Sequence, residues 1–297
     1  MTFATAGMLS RRELILGIGA FFVGGRAPAA QPPRIAAIDW AMLETALALG
    51  MTPIAATELL QFRKDAVEPA IPDNVVDLGL RGSPNFELLH LLKPELILIS
   101  PFYTRHQAAL ERIAPILSHS FYVRGEPPFE KSLQALTVLG KTLDRKRAAE
   151  IAFNEANAAL EIGKQSLSRF AERPFYLVNV GDARHVRIFG SDSMFGDVLG
   201  RMGLRNAWND KSRFTFAAPV PIERLSTESD AWIVVISEIP VEARSSLRNS
   251  MIWNSLEPIR RGRLIMLGNI NPYGGVTAGL RFARLLRDEL LTRGVSE

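Results

Sequence analysis

The sequence predicts an α/β fold in which two lobes are joined by one long helix. Three observations carry this prediction. A helical pattern without proline runs from residue 143 to residue 173, near the middle of the chain. On each side of it, short apolar runs typical of buried strands alternate with helical segments. The chain has 297 residues, more than one domain usually contains, so two lobes are the natural count.

The stretch 143–173 has the composition and the period of a helix. Alanine, leucine, glutamate, lysine and arginine dominate it, and all five are strong helix formers. Its apolar residues recur about every 3.6 positions, namely Ala148, Ile151, Ala152, Ala159, Ile162 and Phe170. Such a helix would be about 45 Å long, and Pro174 ends it. We predict a rigid strut, with an ordinary long helix of a single domain as the alternative.

Residues 1–30 are predicted to be an export signal. Arg11 and Arg12 directly precede an apolar run at 14–23, and Ala-Pro-Ala at 27–29 fits an A-x-A cleavage site. The apolar run is too short for the roughly 20 residues that span a bilayer. The arginine pair favours the twin-arginine route, and a signal anchor is the alternative. We expect a soluble extracytoplasmic protein that begins near residue 30 or 31. Since the sequence has no cysteine, we expect no lipid anchor.

The first lobe is assigned to residues 31–142. Strands are predicted at 35–38, 75–78, 96–100 and 121–123, and helices at 40–49, at 84–92, from about 107 and from about 129. Ser83 is the predicted N-cap of the helix at 84–92, with Pro84 at its first position. Mixed charges and two prolines predict a surface loop at 61–72.

The second lobe is assigned to residues 174–297, with 143–173 as the linking helix. Strands are predicted at 175–180, 186–189, 232–237 and 264–267, and helices at 193–202, after Pro221 and at 276–292. Glu87 and Glu223 hold matching places, because each follows a proline and precedes a short helix and an apolar strand. Two-fold pseudosymmetry would produce this match, and chance similarity of two short α/β units is the alternative.

Composition and motifs exclude several classes of function. The absence of cysteine excludes disulfides, thiolate zinc sites, iron–sulfur clusters and a cysteine nucleophile. The four histidines lack metal-ligand spacing, and residues 190–194 do not form a Gly-x-Ser-x-Gly elbow. The net charge of +4 is scattered, and the basic run 145–147 lacks interleaved aromatic residues. We expect no enzyme, no resident cofactor or metal, and no nucleic-acid partner.

Three polar residues follow predicted strands, where ligands of α/β folds bind. They are Arg81, Tyr103 and Ser191. Arg81 lies in a tight glycine-containing turn, and its planar donors suit an anionic or oxygen-rich ligand. A surface salt bridge is the alternative for Arg81, and a surface aromatic is the alternative for Tyr103.

Six segments, in their order and spacing, resemble one family. They are 75–89 (VVDLGLRGSPNFELL), 110–115 (LERIAP), 189–195 (FGSDSMF), 206–208 (NAW), 221–225 (PIERL) and 273–286 (YGGVTAGLRFARLL). The chain resembles the ferric-hydroxamate-binding proteins, within the iron-siderophore, haem and cobalamin class of substrate-binding proteins of ABC importers. The resemblance covers nearly the full length of the chain, signal included.

The resemblance implies the class III periplasmic binding protein fold, with the ligand in a shallow cleft between the lobes and little closure. It implies that Arg81 and Tyr103 contact the hydroxamate oxygens around iron(III). Because those oxygens already saturate the iron, the protein needs donors to oxygen and no metal ligands. The expected partners are a ferric hydroxamate siderophore and an inner-membrane permease with its ATPase, and the expected state is a monomer.

The chain departs from the family pattern at the wall of the cleft. The family has tryptophans where this chain has Asp65, Thr215 and Asn271. Phe214, Phe216 and Tyr273 lie nearby in the sequence, and they are predicted to contact the ligand together with these three polar residues. The polar replacements favour a smaller or more polar chelate, such as a citrate-based dihydroxamate.

The resemblance also assigns a role to the two matching glutamates. In related importers, a surface glutamate on each lobe docks on arginines of the permease, and Glu87 and Glu223 match these positions by motif. Two other interpretations stay open. One is a binder of haem, cobalamin or a ferric catecholate with the same fold. The other is an exported α/β hydrolase that uses Ser191 or Ser193 with His185.

Overall fold

Two β-sheets organise the part of the chain that the computed structural model describes, which comprises residues 1–2, 32–208 and 219–293. The first sheet contains β1 (Ile35–Ala37), β2 (Ala55–Ala56), β3 (Val76–Asp77), β4 (Leu96–Ile99) and β5 (Ile116–Ser118). Its strands are all parallel, in the order β3-β2-β1-β4-β5. The predicted export signal lies outside the described residues, except for residues 1–2.

The second sheet is mixed. It contains β6 (Pro174–Val180), β7 (His185–Ile188), β8 (Arg205–Asn206), β9 (Val220–Pro221), β10 (Trp232–Val235) and β11 (Leu264–Met266). The order is β11-β10-β6-β7-β9, and β8 also pairs with β6. Strands β11, β10 and β6 are parallel, whereas β7 is antiparallel to both of its neighbours.

Eleven α-helices connect and cover these strands within the described residues. They are α1 (Trp40–Ala48), α2 (Leu59–Asp65), α3 (Phe86–Leu92), α4 (Gln107–Glu111), α5 (Phe129–Thr142), α6 (Lys146–Ser166), α7 (Met194–Arg201), α8 (Val241–Arg248), α9 (Met251–Ser255), α10 (Glu257–Arg260) and α11 (Val276–Arg293). Short 3-10 segments occur at Pro101–His106, Ser168–Phe170 and Ile222–Ser226. None of the described helices is long and apolar enough to cross a membrane.

One hydrophobic core joins the two sheets. Ile35 and Ala37 of β1 belong to it, as do Phe175 and Leu177 of β6. The alternate residues of these strands, such as Tyr176, face separate outer cores. Helices α1, α5, α6, α7 and α11 pack on one another within the shared core. Moving one sheet relative to the other would therefore expose apolar surface, which opposes a wide hinge motion.

The linking helix is shorter than predicted. Helix α6 spans Lys146–Ser166 rather than 143–173, and the 3-10 segment Ser168–Phe170 follows it. Leu143 caps α5, and Asp144, with a φ of 54°, lies between the two helices. The chain turns here because α5 and α6 pack directly together: a Cβ on Gly140 would lie 2.6 Å from Ala149 Cβ. Tertiary packing thus overrides a local sequence that favours continuous helix.

The buried face of α6 also differs from the predicted apolar stripe. Ile151 and Ile162 are 48% and 54% exposed. The buried residues are Ala149, Ala156, Leu160 and Gly163, which also lie on one face of a helix. Small residues are buried because neighbouring helices approach this face closely.

Most other elements lie where the sequence predicts them, and three predictions are wrong. Residues 59–65 form α2 rather than part of a loop, with Leu59 and Phe62 buried one turn apart. Strand β5 lies at Ile116–Ser118 rather than at 121–123, although Phe121 is buried. Helix α3 is capped by Asn85, whose Oδ1 accepts from Leu88 N at 2.9 Å, rather than by Ser83.

Candidate functional site

The carboxyl edge of the first sheet gathers the polar groups of the candidate site. Asp39 follows β1, Arg81 follows β3, and Tyr103 follows β4. The carboxyl ends of parallel strands lie at one edge of the sheet, and ligands of open α/β sheets bind there. The topology therefore brings together residues that lie far apart in the sequence.

Arg81 is held from two sides. Its Nε donates to Glu58 Oε2 at 2.6 Å, and its backbone N–H donates to Glu58 Oε1 at 3.1 Å. The guanidinium carbon lies 3.8 Å from the centroid of the Trp40 ring, a cation–π contact. Trp40 is itself fixed, because its Nε1 donates to Thr57 O at 2.9 Å. Both terminal nitrogens of Arg81 are without a hydrogen bond within the described structure, so they can donate to a ligand.

Tyr103 presents a phenol next to this arginine. Its ring packs in the outer core of the first sheet and meets the Phe102 ring edge-on at 5.3 Å. Burial raises the pKa of the phenol, and the negative charge of Asp39 adds to the increase, whereas the charge of Arg81 opposes it. The hydroxyl therefore stays protonated across the physiological range. The residue is only 3% exposed, so it is a buried aromatic beside Arg81 and not the surface aromatic of the alternative interpretation.

Asp39 links the start of α1 to the end of β4 beside the site. Its carboxylate caps α1 by accepting from Met42 N at 3.0 Å, and it accepts from Ser100 Oγ at 2.7 Å. Burial raises the pKa of Asp39 above its ordinary value, although these hydrogen bonds oppose the increase.

Tyr273 reaches the site from the segment between β11 and α11. Burial raises the pKa of its phenol to about 12, and the positive charges of Arg187 and Arg81 oppose this increase. The charge of Arg81 thus acts on Tyr103 and on Tyr273. Arg81 therefore lies within electrostatic range of both tyrosines, which belong to different halves of the chain.

A buried carboxylate fixes the segment that carries Tyr273. Glu44 of α1 has no exposed surface, and its oxygens accept from Asn271 Nδ2 at 2.7 Å and from Gly275 N and Thr277 Oγ1, each at 2.8 Å. A Cβ on Gly274 would lie 2.5 Å from Glu44 Oε2, so only glycine fits there. Burial raises the pKa of Glu44 to about 7.

Tyr122 adds a second contact to the same segment. Its hydroxyl donates to Gly274 O at 2.6 Å. Its ring meets the Tyr273 ring edge-on, at 5.4 Å between centroids. Tyr273 is therefore positioned through its ring as well as through its backbone.

The other predicted ligand residues have different surroundings. Asn271 is 1% exposed, and its Oδ1 accepts from Tyr273 N at 3.1 Å. It is therefore better placed to hold Tyr273 than to contact a ligand. Asp65 lies at the end of α2 and accepts from Gln61 Nε2 at 2.8 Å. Phe214, Thr215 and Phe216 lie outside the described residues.

Sequence analysis missed several residues of this site. Glu58 and Trp40 hold Arg81, and no short motif indicates that they do so. Leu80 and Phe102 border Arg81 and Tyr103, and they are 65% and 76% exposed. Two exposed large apolar side chains beside polar donors can contact the apolar parts of a ligand. Their positions directly after apolar strands were the only available signal.

The two glutamates of the predicted docking pair lie in matching places. Glu87 is in the first turn of α3, which leads to β4. Glu223 is in the first turn of the 3-10 segment Ile222–Ser226, which leads to β10. Both side chains are exposed, and neither carboxylate forms an ion pair with a described residue.

The described residues offer no metal site, and Ser193 is not placed as a nucleophile. No group of three or more His, Asp or Glu side chains among them could hold a metal ion. Ser193 is buried as the N-cap of α7, where its Oγ donates to Gly190 O at 2.6 Å and accepts from Gly196 N at 3.1 Å. His185 is exposed and contacts Asp182. The chemistry of the site is therefore hydrogen bonding and charge.

Two α/β halves with polar groups at the strand ends are compatible with a substrate-binding protein. The family model described as "Periplasmic binding protein" matches residues 35–270, and the chain belongs to this family. The family consists of substrate-binding proteins, so the assignment as a non-enzyme is confirmed and the hydrolase interpretation is wrong.

Individual relatives agree with this assignment. The iron(3+)-hydroxamate-binding protein FhuD of Escherichia coli K12 is 30% identical over 260 residues, which cover 88% of each chain. The achromobactin-binding periplasmic protein of Dickeya dadantii 3937 is 25% identical and covers 95% of each chain. The relatives are periplasmic or extracytoplasmic binding proteins.

Solved structures show the same fold. The siderophore-binding protein FhuD of Vibrio cholerae, bound to Fe3+-Desferal, superposes with a TM-score of 0.80 at 22% identity, covering 87% of this chain and 98% of that one. FhuD2 of Staphylococcus aureus with bound ferrioxamine B gives 0.70 at 17% identity, covering 88% and 99%. The predicted fold class is confirmed.

Glu44 is expected to make the stability of the protein depend on pH. Its folded-state pKa of about 7 lies above its ordinary value of 4.5, so the folded protein binds more protons than the unfolded chain between these pH values. The contribution of Glu44 to stability is therefore fully present below about pH 4.5, and it is lost as the pH rises to about 7. Urea unfolding of the wild type and of Glu44→Gln, from about pH 5 to about pH 8, measures this.

The variant serves as the reference because glutamine does not titrate. Relative to Glu44→Gln, the wild type should lose free energy of unfolding as the pH rises through this range. Asp39, another buried carboxylate with a raised pKa, is present in both proteins, so its contribution cancels in the difference. Two parallel curves would contradict the assignment.

Proposed function

We propose that this protein captures a ferric hydroxamate siderophore in the periplasm and delivers it to an inner-membrane ABC permease with its ATPase. The observation that supports it most is the geometry of Arg81. Glu58 and Trp40 fix the guanidinium and leave its terminal nitrogens without a hydrogen bond to any described residue, within electrostatic range of the phenols of Tyr103 and Tyr273. These are donors without a metal ligand, as a chelate whose iron is already saturated by oxygen requires.

The relatives support the same ligand class. The protein from Escherichia coli is named for binding iron(3+)-hydroxamate, and the structures from Vibrio cholerae and Staphylococcus aureus hold Desferal and ferrioxamine B. Haem, cobalamin or a ferric catecholate is the alternative within the same fold. Polar residues at positions 65, 215 and 271 favour a more polar hydroxamate chelate within this class.

We further propose the organisation of the mature protein. Lobes at 31–142 and 174–297 hold the ligand in a shallow cleft, and the shared core restricts their closure. The protein acts as a monomer, because one copy supplies donors from both halves of the chain. Phe214, Thr215 and Phe216 contact the ligand in this arrangement, with Asp65 near the rim.

Removing Arg81 is expected to weaken binding of ferrioxamine B about tenfold or more, roughly 1.4 kcal/mol, because charge-assisted hydrogen bonds to the chelate oxygens are lost. Titration of the intrinsic fluorescence measures this, since Trp40 lies against Arg81. Removing Arg81 will also change the emission of Trp40 itself. The dissociation constant is therefore fitted from the whole titration curve rather than from the size of the signal, and it is checked by calorimetry.

Arg112→Ala is the matched control for this experiment. Arg112 is exposed at the end of α4, and the substitution causes the same change in net charge. The control should bind like the wild type. Equal affinities of Arg81→Ala and the wild type would contradict the site, and binding of haem or a catecholate chelate alone would move the ligand to the alternative class.

Charge reversal of Glu87 and Glu223 is expected to abolish transport and to leave ligand binding unchanged. Both carboxylates are exposed in the matching places described above, so their reversal changes the docking surface and not the core. Uptake of ferric siderophore by cells with the double Glu→Lys variant measures this. Reversal of Glu150 and Glu155 on the exposed face of α6 is the control, and wild-type uptake by the Glu87 and Glu223 variant would contradict docking.

We propose that residues 1–30 direct export by the twin-arginine route. Replacing Arg11 and Arg12 with lysine is expected to leave the full-length precursor in the cytoplasm, because this route reads the arginine pair. Cell fractionation with detection of the precursor and the processed form measures it. Unchanged periplasmic accumulation would point to another export route.

A further inference from the structure

Glu58 has an unusual backbone conformation for its residue type. Its φ of 49° and ψ of 46° lie in the left-handed region, which is sparsely populated by residues other than glycine, asparagine and aspartate. Its backbone N–H donates to Gly79 O at 2.8 Å. The residue therefore joins the start of α2 to the turn that carries Arg81, and its carboxylate points to that turn.

The carboxylate does two things to Arg81. It accepts from the backbone N–H and from Nε, so it fixes the direction of the guanidinium. It also adds a negative charge 2.6 Å from the positive one. Arg81 and Glu58 together therefore carry no net charge at the place where Arg81 meets a ligand.

This neutrality matters because both side chains are only partly exposed. Their exposed fractions are 32% for Arg81 and 21% for Glu58. Charges at a partly desolvated surface interact more strongly than charges in water. An anionic ligand attracted by Arg81 would also be repelled by Glu58 and by the nearby Asp39, while Arg105 and Arg187 add positive charge near Tyr103 and Tyr273.

The ferric chelates differ in this property. Three hydroxamates, each with one negative charge, neutralise iron(III), and a spare amine makes such a chelate cationic. Three catecholates, each with two negative charges, leave a chelate with three negative charges. A site with a neutral arginine–carboxylate pair thus distinguishes the two classes by charge, although both offer oxygens to a donor.

We propose that Glu58 is a specificity-determining residue, which makes this site prefer uncharged or cationic ferric chelates over strongly anionic ones. The inference rests on the proposed function, since it assigns the chelate class at the same site. Arg81 supplies the donors, and Glu58 cancels the charge that would otherwise attract a tricatecholate.

Glu58→Gln tests the proposal, because it keeps the size of the side chain and removes its charge. Calorimetric titrations with ferrioxamine B and with ferric enterobactin, a tricatecholate, give a ratio of two affinities. We expect this ratio to shift about tenfold or more towards the tricatecholate in the variant. The shift should shrink at high salt, because salt screens exposed charges.

Two further variants separate charge from geometry. Glu150→Gln on α6 causes the same change in net charge at an exposed position away from Arg81 and Glu58. It should leave the ratio of the two affinities unchanged. Glu58→Asp keeps the charge and shortens the side chain, so it should keep the wild-type preference even if both affinities fall.

The outcomes distinguish this inference from the proposed function. Wild-type binding of ferrioxamine B together with an unchanged ratio in Glu58→Gln would overturn the inference alone. A ratio that shifts equally in Glu58→Asp would also overturn it, because geometry and not charge would then set the preference. Wild-type binding of neither chelate would overturn the proposed function and this inference with it.

Discussion

The site depends on the hydrogen bonds that the Glu44 carboxylate accepts from the segment between Asn271 and Thr277. Glu44 lies on the first helix, and its partners lie about 230 residues further along the chain. All the groups that it contacts there are donors, so the arrangement suits an ionised carboxylate, while burial disfavours that form. These hydrogen bonds hold the segment that carries Tyr273 in place, and with it the part of the site that comes from the second half of the chain.

The shared core gives this bond a rigid setting. Helices from both halves of the chain pack between one face of each sheet, so the two walls of the site are parts of one interior. Binding therefore requires little rearrangement, and donors that are already in place lower the entropic cost of capturing a ligand. Arg81 illustrates this, because Glu58 and Trp40 fix the direction of its guanidinium from within the protein.

The proposed function asks how a site can select a metal complex when the described residues offer no metal ligands. Arg81, Tyr103 and Tyr273 offer donors to oxygen, and the raised phenol pKa values keep both tyrosines protonated. Leu80 and Phe102 add exposed apolar surface beside them. Selectivity then depends on the balance of nearby charge and on the shape of the wall rather than on coordination chemistry.

The sequence by itself determined the α/β class, most strands, α5 and α11, and the candidates Arg81 and Tyr103, because these depend on local periodicity and on short motifs. It failed where packing between distant segments decides the outcome. Helix α6 begins later than its helix-forming residues suggest because α5 packs against its start, and three of its four buried residues, Ala149, Ala156 and Gly163, are small enough to admit neighbours. Asn271 could be named from its position, but only the fold shows that it holds Tyr273. Glu58 and Trp40 contact Arg81 from two other segments of the chain, and no sequence pattern within any one of these segments indicates the contacts.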